Sequence, residues 1–384
     1  MATCKSILFA GGGSGGHIFP NIAVIERLRE KSLDIQPHFL ISSRSLDTHI
    51  LKKPNFPRTV LPAVPLNLRP DRLIRFLRGY KDSVALARKV IAETGAVALV
   101  STGGFVAAPA VAASQALGLT VVLVNLDAIP GRANRLMAGR ASQIFTVYPA
   151  PSLHQAQLIG LPLRRNAIGS ISAPEARLEL GLDPDCFTLF VTAGSQGAST
   201  INRMMMDLCT RFRVRHAFDS KPWQVFHLTG HEDPKDILKA YEQAGIRARV
   251  EPFCNVMGLA WSAASIGISR AGAGSVAEVR ANGVPTIFLP YPYHKDQHQY
   301  FNAEPLVSAG AAMMIEDCID AVVNVNCLIG PLLFLMANDA KRETMRQLLL
   351  ANPVADGADI IARSLAATLG EDLPGGSGQH ICNN

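Results

Sequence analysis

The sequence predicts an α/β fold: two Rossmann-like, doubly wound domains facing each other across a cleft. Three observations predict it. Short apolar runs alternate with helix-like runs along nearly the whole chain, which implies parallel sheets. The second half opens as the first does, with an apolar strand, a glycine–serine turn and a helix. And 384 residues are too many for one ordinary core.

The first unit is "FAGGGSGGHIFPNIAV", residues 9–24, preceded by Ile7 and Leu8 in a short buried strand. Five glycines surround Ser14, and Ile22, Ile25 and Leu28 share one helical face, with Pro20 expected in the first turn. A glycine loop at a helix mouth aims amide N–H groups and the positive helix end at one point, which suits a phosphate. "PHFLIS", "AVALVS" with the small-residue helix "VAAPAVAASQALG", "TVVLV", a helix near Asn134–Ala138 and "SQIFTV" continue the alternation. Pro, Gly and Ser cluster from Gly160 to Pro174, which places the boundary between an N-terminal domain, 1–164, and a C-terminal domain, 165–353. The second domain runs through "CFTLFVTAGSQGASTINRMMM", "WQVFHLTG", "ASIGIS", "AGAGSVAEVRANG", "VPTIFLP" and a helix after Asp296. A last helix in 354–370 is expected to pack back on the first domain, and the polar, glycine-rich tail 371–384 to be disordered.

Charged residues are 18% and hydrophobic residues 48%, a globular balance. The net charge of +6 suits an anionic ligand, nucleic acid or an anionic membrane surface. Aromatic residues are only 6% and interleave with basic ones only in 68–89, so nucleic acid is poorly supported. Seven cysteines without a C-x-x-C pair read as reduced thiols, neither a disulfide frame nor a zinc site. The apolar stretch after Lys5 is too short for a signal peptide, and no run of about eighteen apolar residues spans a membrane.

Several stretches can carry chemistry. His17 is placed to serve as a general base for a hydroxyl, against the plainer reading of a capping or packing histidine. A dinucleotide site needs an acid at the end of the second strand, and Ser42, Ser43 and Arg44 stand there, with Asp47 the first acid. In "TAGSQGAST", residues 192–200, Ser195 and neighbouring amides can hold a diphosphate or simply cap a helix. In "SRAGAGSVAEVRANGVPTIFLP", the loop after Arg270 suits a second phosphate contact, and Glu278 two ribose hydroxyls or the helix dipole. "YPYHKDQHQYFNA", residues 291–303, reads as a polar loop gripping a sugar; nothing completes a metal set around His294 and His298. In 68–89, Arg72, Arg75 and Arg78 alternate with Ile74, Phe76 and Leu77, either a membrane-docking face or the solvated face of a core helix. "DPD" at 183–185 reads as a turn rather than a metal motif.

"GGGSGGHIFPNIAV" together with "SRAGAGSVAEVRANGVPTIFLPYPYHKDQHQYFNA" resembles the MurG family, with the likeness running from about Lys5 to Leu369. The resemblance implies the two-domain GT-B fold and inverting transfer of N-acetylglucosamine from UDP-GlcNAc to the muramoyl 4-hydroxyl of the polyprenyl-diphosphate-linked muramoyl-pentapeptide, lipid I, giving lipid II. It implies no cofactor and no metal, and a peripheral place on the cytoplasmic face of the bacterial inner membrane. Matched residue by residue, His17 falls where a catalytic base is proposed, and Ser14, Gly15 and Gly16 fall at the donor. Arg164 and Ser195 match diphosphate contacts, and Cys254 a uracil-side position usually aliphatic. Ala273, Gly274, Ser275, Val276, Ala277 and Glu278 match the loop and helix start under the nucleotide, and Gln299 a contact to the sugar hydroxyls. Three departures stand out. Val124, Asn125, Leu126 and Asp127 replace His-Glu-Gln-Asn, Leu161 replaces Asn, and Gln297–His298 replace Arg-Gln; Asp127 keeps the capacity to accept a hydrogen bond from the ligand. The competing readings are a UDP-sugar epimerase, a GT-B transferase with another acceptor, and a non-catalytic binding module.

Overall fold

The computed structural model describes residues 5–52, 55–67, 69–194, 199–212, 222–351 and 353–371. Ser195, Leu68 and the tail from residue 372 onward lie outside the described residues.

The first lobe runs β1 (Lys5–Ala10), α1 (Gly15–Glu30), β2 (Ile35–Ile41), α2 (Ser45–Lys52), β3 (Arg58–Val60), α3 (Pro70–Thr94), β4 (Ala98–Ser101), α4 (Ala107–Ala116), β5 (Thr120–Asn125), α5 (Arg132–Met137), β6 (Gln143–Thr146) and β7 (Gln157–Leu158). The second runs α6 (Ala173–Glu179), β8 (Phe187–Thr192), α7 (Ser199–Phe212), β9 (Trp223–Leu228), α8 (Pro234–Gln243), β10 (Arg247–Glu251), α9 (Met257–Ala263), β11 (Ile266–Ser269), α10 (Ala273–Asn282), β12 (Thr286–Phe288), α11 (His298–Ser308), β13 (Met313–Met314), α12 (Ala321–Ala337) and α13 (Asp339–Leu350); α14 (Gly357–Thr368) follows. The sheets are ordered β3-β2-β1-β4-β5-β6-β7 and β10-β9-β8-β11-β12-β13, and every pairing is parallel. In each, strand order reverses beside the first strand, between β1 and β4 and between β8 and β11. In sheets of this kind ligands bind outside the carboxyl ends of the strands, at such a reversal point.

Each sheet is covered on both faces, which is why the central strands β1, β4, β5, β8 and β11 are buried along nearly their whole length. Ile7 and Phe9 of β1 face α1, α2 and α14, while Leu8 and Ala10 face α3 and α4. In the second lobe Leu189 and Val191 face α7, α8 and α12, and Phe190 packs with α9 and α10. Ala358, Ile361, Ala362 and Leu365 of α14 belong to the core of the first lobe. Glu371, the last described residue, pairs with Lys5 at 2.7 Å.

Pro20 is not in the first turn of α1. The helix starts at Gly15, with Ser14 at its N-cap, because the glycine loop ends there; Pro20 is buried in the second turn and cannot donate to the Gly16 carbonyl. The turn at 183–185 closes on Asp185 N–H donating to Asp183 Oδ1 at 3.0 Å. Among the described residues no single helix is long and apolar enough to cross a membrane.

The chain passes between lobes near residues 159–167 and returns near 353–357, and α1 fastens both passages. Arg27, 1% exposed, donates from Nε to Asp356 Oδ2 at 2.7 Å and from an Nη to the Leu163 carbonyl at 3.0 Å. Arg165 forks onto Glu30 at 2.9 and 2.7 Å, and its N–H donates to Glu26. The passages touch at Gly160 and Gly357: a Cβ on Gly357 would run into the Gly160 carbonyl oxygen, and one on Gly160 into the Ala355 carbonyl. Gly357→Ala is therefore expected to destabilise the protein by about 1–3 kcal/mol, read as a lower urea midpoint at unchanged slope.

Candidate active site

The loop between β1 and α1 is braced from below. Asp47, fully buried in the first turn of α2, accepts from Gly13 N–H at 2.9 Å and from the Ser42 hydroxyl at 2.5 Å. A Cβ on Gly12 would meet Asp47 Oδ2 at 2.6 Å and Ser42 N at 2.9 Å; one on Gly11 would meet Thr102 Oγ1 at 2.5 Å. These two glycines thus admit neighbouring protein rather than a ligand. Gly13 supplies a left-handed turn at φ +90°, and Arg44 caps its carbonyl. Gly15 is buried, and only Gly16 of the group lies exposed at the cleft.

His17 sits one turn above. Its Nδ1 lies 3.2 Å from the Gly12 carbonyl and 3.2 Å from Ser14 Oγ. Donation to a carbonyl requires the proton on Nδ1, which leaves Nε2 with its lone pair. Asn21 and Thr102 hold the His17 carbonyl, and Gly103 and Gly104, at φ +102° and +82°, bring the loop after β4 against the ring. Burial pushes the imidazole below its ordinary pKa, opposed by Asp127, the Gly12 carbonyl and Asp47.

Asp127 marks where the lobes meet. Its Oδ1 accepts from Nδ2 of Asn302 at 2.9 Å, while Asn302 Oδ1 accepts from Ala128 N–H at 2.8 Å. The Asn302 carbonyl accepts from the Tyr148 hydroxyl at 3.1 Å, and its amide also reaches the Ala271 carbonyl at 3.2 Å. Asn302 is fully buried on α11, so one second-lobe side chain reads the first lobe's loop. The departure at 124–127 has a packing explanation: Val124 and Leu126 enter the core, and Asn125 braces the loop through the Asp127 carbonyl and Thr146. Leu161 likewise packs in that core. His298 stacks on His294 at 4.3 Å between centroids, its Nδ1 2.8 Å from Asp296, within electrostatic reach of His17.

A second group gathers beside the start of α10. Gly272 and Gly274 face open space, where a Cβ would meet nothing within 4 Å. Ala273 is buried with the core of the first lobe, Val276 is buried, and Ala277 packs on that first-lobe core. Gly194, the last described residue before Ser195, lies with its Cβ direction 4.0 Å from Ser275 Oγ, so the two glycine turns adjoin. Glu278 accepts from the Trp261 indole N–H at 2.9 Å. Burial pushes its carboxyl up, against the indole bond and the charge of Arg164. Arg164 lies with its guanidinium 3.9 Å from the centre of the Phe19 ring, in reach of Glu278 and Cys254. Arg164, Cys254 and Glu278, from three separate segments, thus share one locality.

Gln299 is in the first turn of α11, and its Oε1 accepts from Tyr291 N–H at 2.9 Å, which leaves the amide nitrogen for other work. Gly103, Gly104, Asn134, Asn302 and Trp261 escaped sequence reasoning. Asn134 carries the clearest signal in space: its Oδ1 is buried without a partner among the described residues and stands 3.2 Å from the Cβ direction of Gly103. On α3, which packs on α4, Ile74 and Leu77 are 53% and 57% exposed and Arg72, Arg75 and Arg78 are exposed. Phe76 is the exception, half-buried with its ring 6.3 Å from that of Tyr80.

Two parallel-sheet lobes meeting in this way make the two-domain GT-B fold. Models of the glycosyltransferase family 28 N-terminal and C-terminal domains match residues 7–146 and 188–361. The chain belongs to the MurG family. It is 32% identical over 371 residues to the UDP-N-acetylglucosamine--N-acetylmuramyl-(pentapeptide) pyrophosphoryl-undecaprenol N-acetylglucosamine transferase of Clavibacter michiganensis, covering 94% of this chain and 96% of that one. It is 32% identical to the enzyme of the same name from Geobacter metallireducens, covering 92% and 96%. Among solved structures, Acinetobacter baumannii MurG superposes with a TM-score of 0.70 at 22% identity, over 95% of this chain and 99% of that one. The calicheamicin glycosyltransferase CalG4 shares the fold, with a TM-score of 0.63 at 14% identity over 97% and 100%.

Proposed function

We propose that the residues of this cleft divide the work of one inverting group transfer. N-acetylglucosamine moves from UDP-GlcNAc to the muramoyl 4-hydroxyl of a polyprenyl-diphosphate-linked muramoyl-pentapeptide, converting lipid I to lipid II. His17 Nε2 takes the hydroxyl proton as the oxygen attacks the anomeric carbon from the face opposite UDP, so the α-linked donor gives a β-linked product. Charge that develops on the leaving diphosphate is met by Arg164, by amides of the α10 start from Ala273 to Val276, and by Ser195. Glu278 takes the ribose hydroxyls, Cys254 lies beside the uracil, and Gln299 with the loop around His298 contacts the sugar. Ser14, Gly15, Gly16 and Asp127 complete the donor site from the other lobe. The first lobe, 1–164, holds the acceptor, and the second, 165–353, the nucleotide.

The observation that carries this reading is the facing of His17 and Asp127 by Asn302 and His298 across the lobes, beside the cluster of Arg164, Cys254 and Glu278. The 32% identity to enzymes named for this transfer supports the substrates. The test is transfer of labelled sugar from UDP-GlcNAc to a lipid I analogue. Product that needs the lipid acceptor supports the transferase, and an epimer formed from donor alone overturns it.

The enzyme works on the cytoplasmic face of the inner membrane, docked peripherally through α3. Ile74 and Leu77 enter the headgroup region while Arg72, Arg75 and Arg78 meet anionic lipid. Replacing both Ile74 and Leu77 with Glu should weaken binding to phosphatidylglycerol vesicles by about 10-fold or more, since each buried aliphatic side chain contributes roughly 1.5–3 kcal/mol. Transfer to a short-chain soluble acceptor should be unchanged. Unaltered vesicle cosedimentation would place the docking surface elsewhere.

A further inference from the structure

Trp261 lies on α9, 1% exposed, with its ring edge-on to Phe190 at 4.8 Å and 88°. Its surroundings are apolar: Phe190, Ala260, Ala263, Val276 and Val279 belong to the same core. An indole has one polar atom, and a buried one takes a hydrogen-bond partner. Here that partner is Glu278 Oε2, 2.9 Å away on a different helix. The backbone of Glu278 is held as well: Asn282 Nδ2 donates to the Glu278 carbonyl at 2.8 Å and to the Ala167 carbonyl at 3.0 Å, while its Oδ1 accepts from Gly169 N–H at 2.7 Å. A free glutamate samples many rotamers; this one has its helix turn tied to the passage between lobes and one carboxylate oxygen fixed by the core.

We propose that Trp261 is a positioning residue for nucleotide recognition, its indole N–H fixing Oε2 of Glu278 so that Oε1 is presented to the ribose hydroxyls. This rests on the ribose role given to Glu278 above. The indole is well suited to the task. It donates and never accepts, so it favours the ionised carboxylate that the two hydroxyls need as acceptor. Its rigid ring, wedged against Phe190, gives the donor a fixed direction.

The test compares UDP with 2′,3′-dideoxy-UDP, which lacks both hydroxyls, by calorimetric titration of the full chain, Trp261→Phe and Glu278→Ala. The wild type should prefer UDP. Trp261→Phe should lose about 10-fold of that preference, the effect of an ill-placed charge-assisted bond, with dideoxy-UDP affinity unchanged. KM for UDP-GlcNAc should rise with kcat little altered. Acid loss of UDP binding should move to higher pH, since the carboxylate has lost a donor. A retained preference, or an equal loss for both nucleotides, overturns the proposal, the second marking Trp261 as packing only. If Glu278→Ala keeps the preference, the ribose reading itself fails and this proposal with it. Should Trp261→Phe not fold, the wild type still decides. The chain has two tryptophans, and the indole N–H resonance of Trp261 should shift with UDP and stay in place with dideoxy-UDP. A resonance indifferent to UDP overturns the proposal.

Discussion

Replacing His17 with alanine is expected to lower kcat by about 10²–10⁴-fold, the usual contribution of a positioned general base. KM for UDP-GlcNAc should change little. The ring is held by the Gly12 carbonyl and Ser14 on one nitrogen, and by Gly103 and Gly104 along its side, so the other nitrogen has a fixed direction. A base must be neutral to act, and burial lowers the imidazole pKa below the ordinary histidine value. The acid limb of the pH–rate profile should accordingly lie below that of an exposed histidine. Asp127 stabilises the imidazolium, so Asp127→Asn removes a charge that raises the pKa and should move the acid limb lower still. Full turnover by His17→Ala would remove it as the base.

Arg164→Ala should cut kcat/KM by about 10²–10³-fold, the scale seen when one preorganised donor to a developing anion is lost. The guanidinium stands over Phe19, and burial presses its pKa downward, yet it stays charged. Negative charge on the diphosphate grows as the glycosidic bond breaks, so most of the loss belongs in kcat. Lysine should recover only part of it, because an ammonium neither forks onto a phosphate nor stacks on a ring as a guanidinium does. UDP should also inhibit the variant less well. A variant with wild-type kcat and weaker UDP inhibition would assign Arg164 to ground-state binding.

The alternation of strands and helices was legible because both sheets are buried on two faces and leave continuous apolar runs. The short edge strands β3 and β7 carry too few residues for any period to register. The three glycine turns were legible as turns, though their uses differ. Gly11 and Gly12 yield to Thr102, Ser42 and Asp47, while Gly272 and Gly274 face open space, a distinction that only tertiary neighbours create. Gly103 and Gly104 were hidden because their meaning depends on the parallel order that sets β4 beside β1. Asn302 was hidden for the same reason: Asp127 and Ala128 lie 175 and 174 residues away in sequence. The basic run on α3 reads equally well as a docking face or a solvated face, and the exposure of Ile74 and Leu77 is a property of the packing that its sequence pattern does not carry.

Arg27 has a mechanical consequence. One guanidinium anchors both chain passages to the helix whose first turn bears His17. The anchor of the two passages and the imidazole therefore share one helix. Any turning of one lobe against the other must break the Arg27 bonds to Asp356 and Leu163 or carry that helix along with the passages. Loss of the Arg27 guanidinium would therefore loosen both passages at once, from a point far along the same helix from the imidazole.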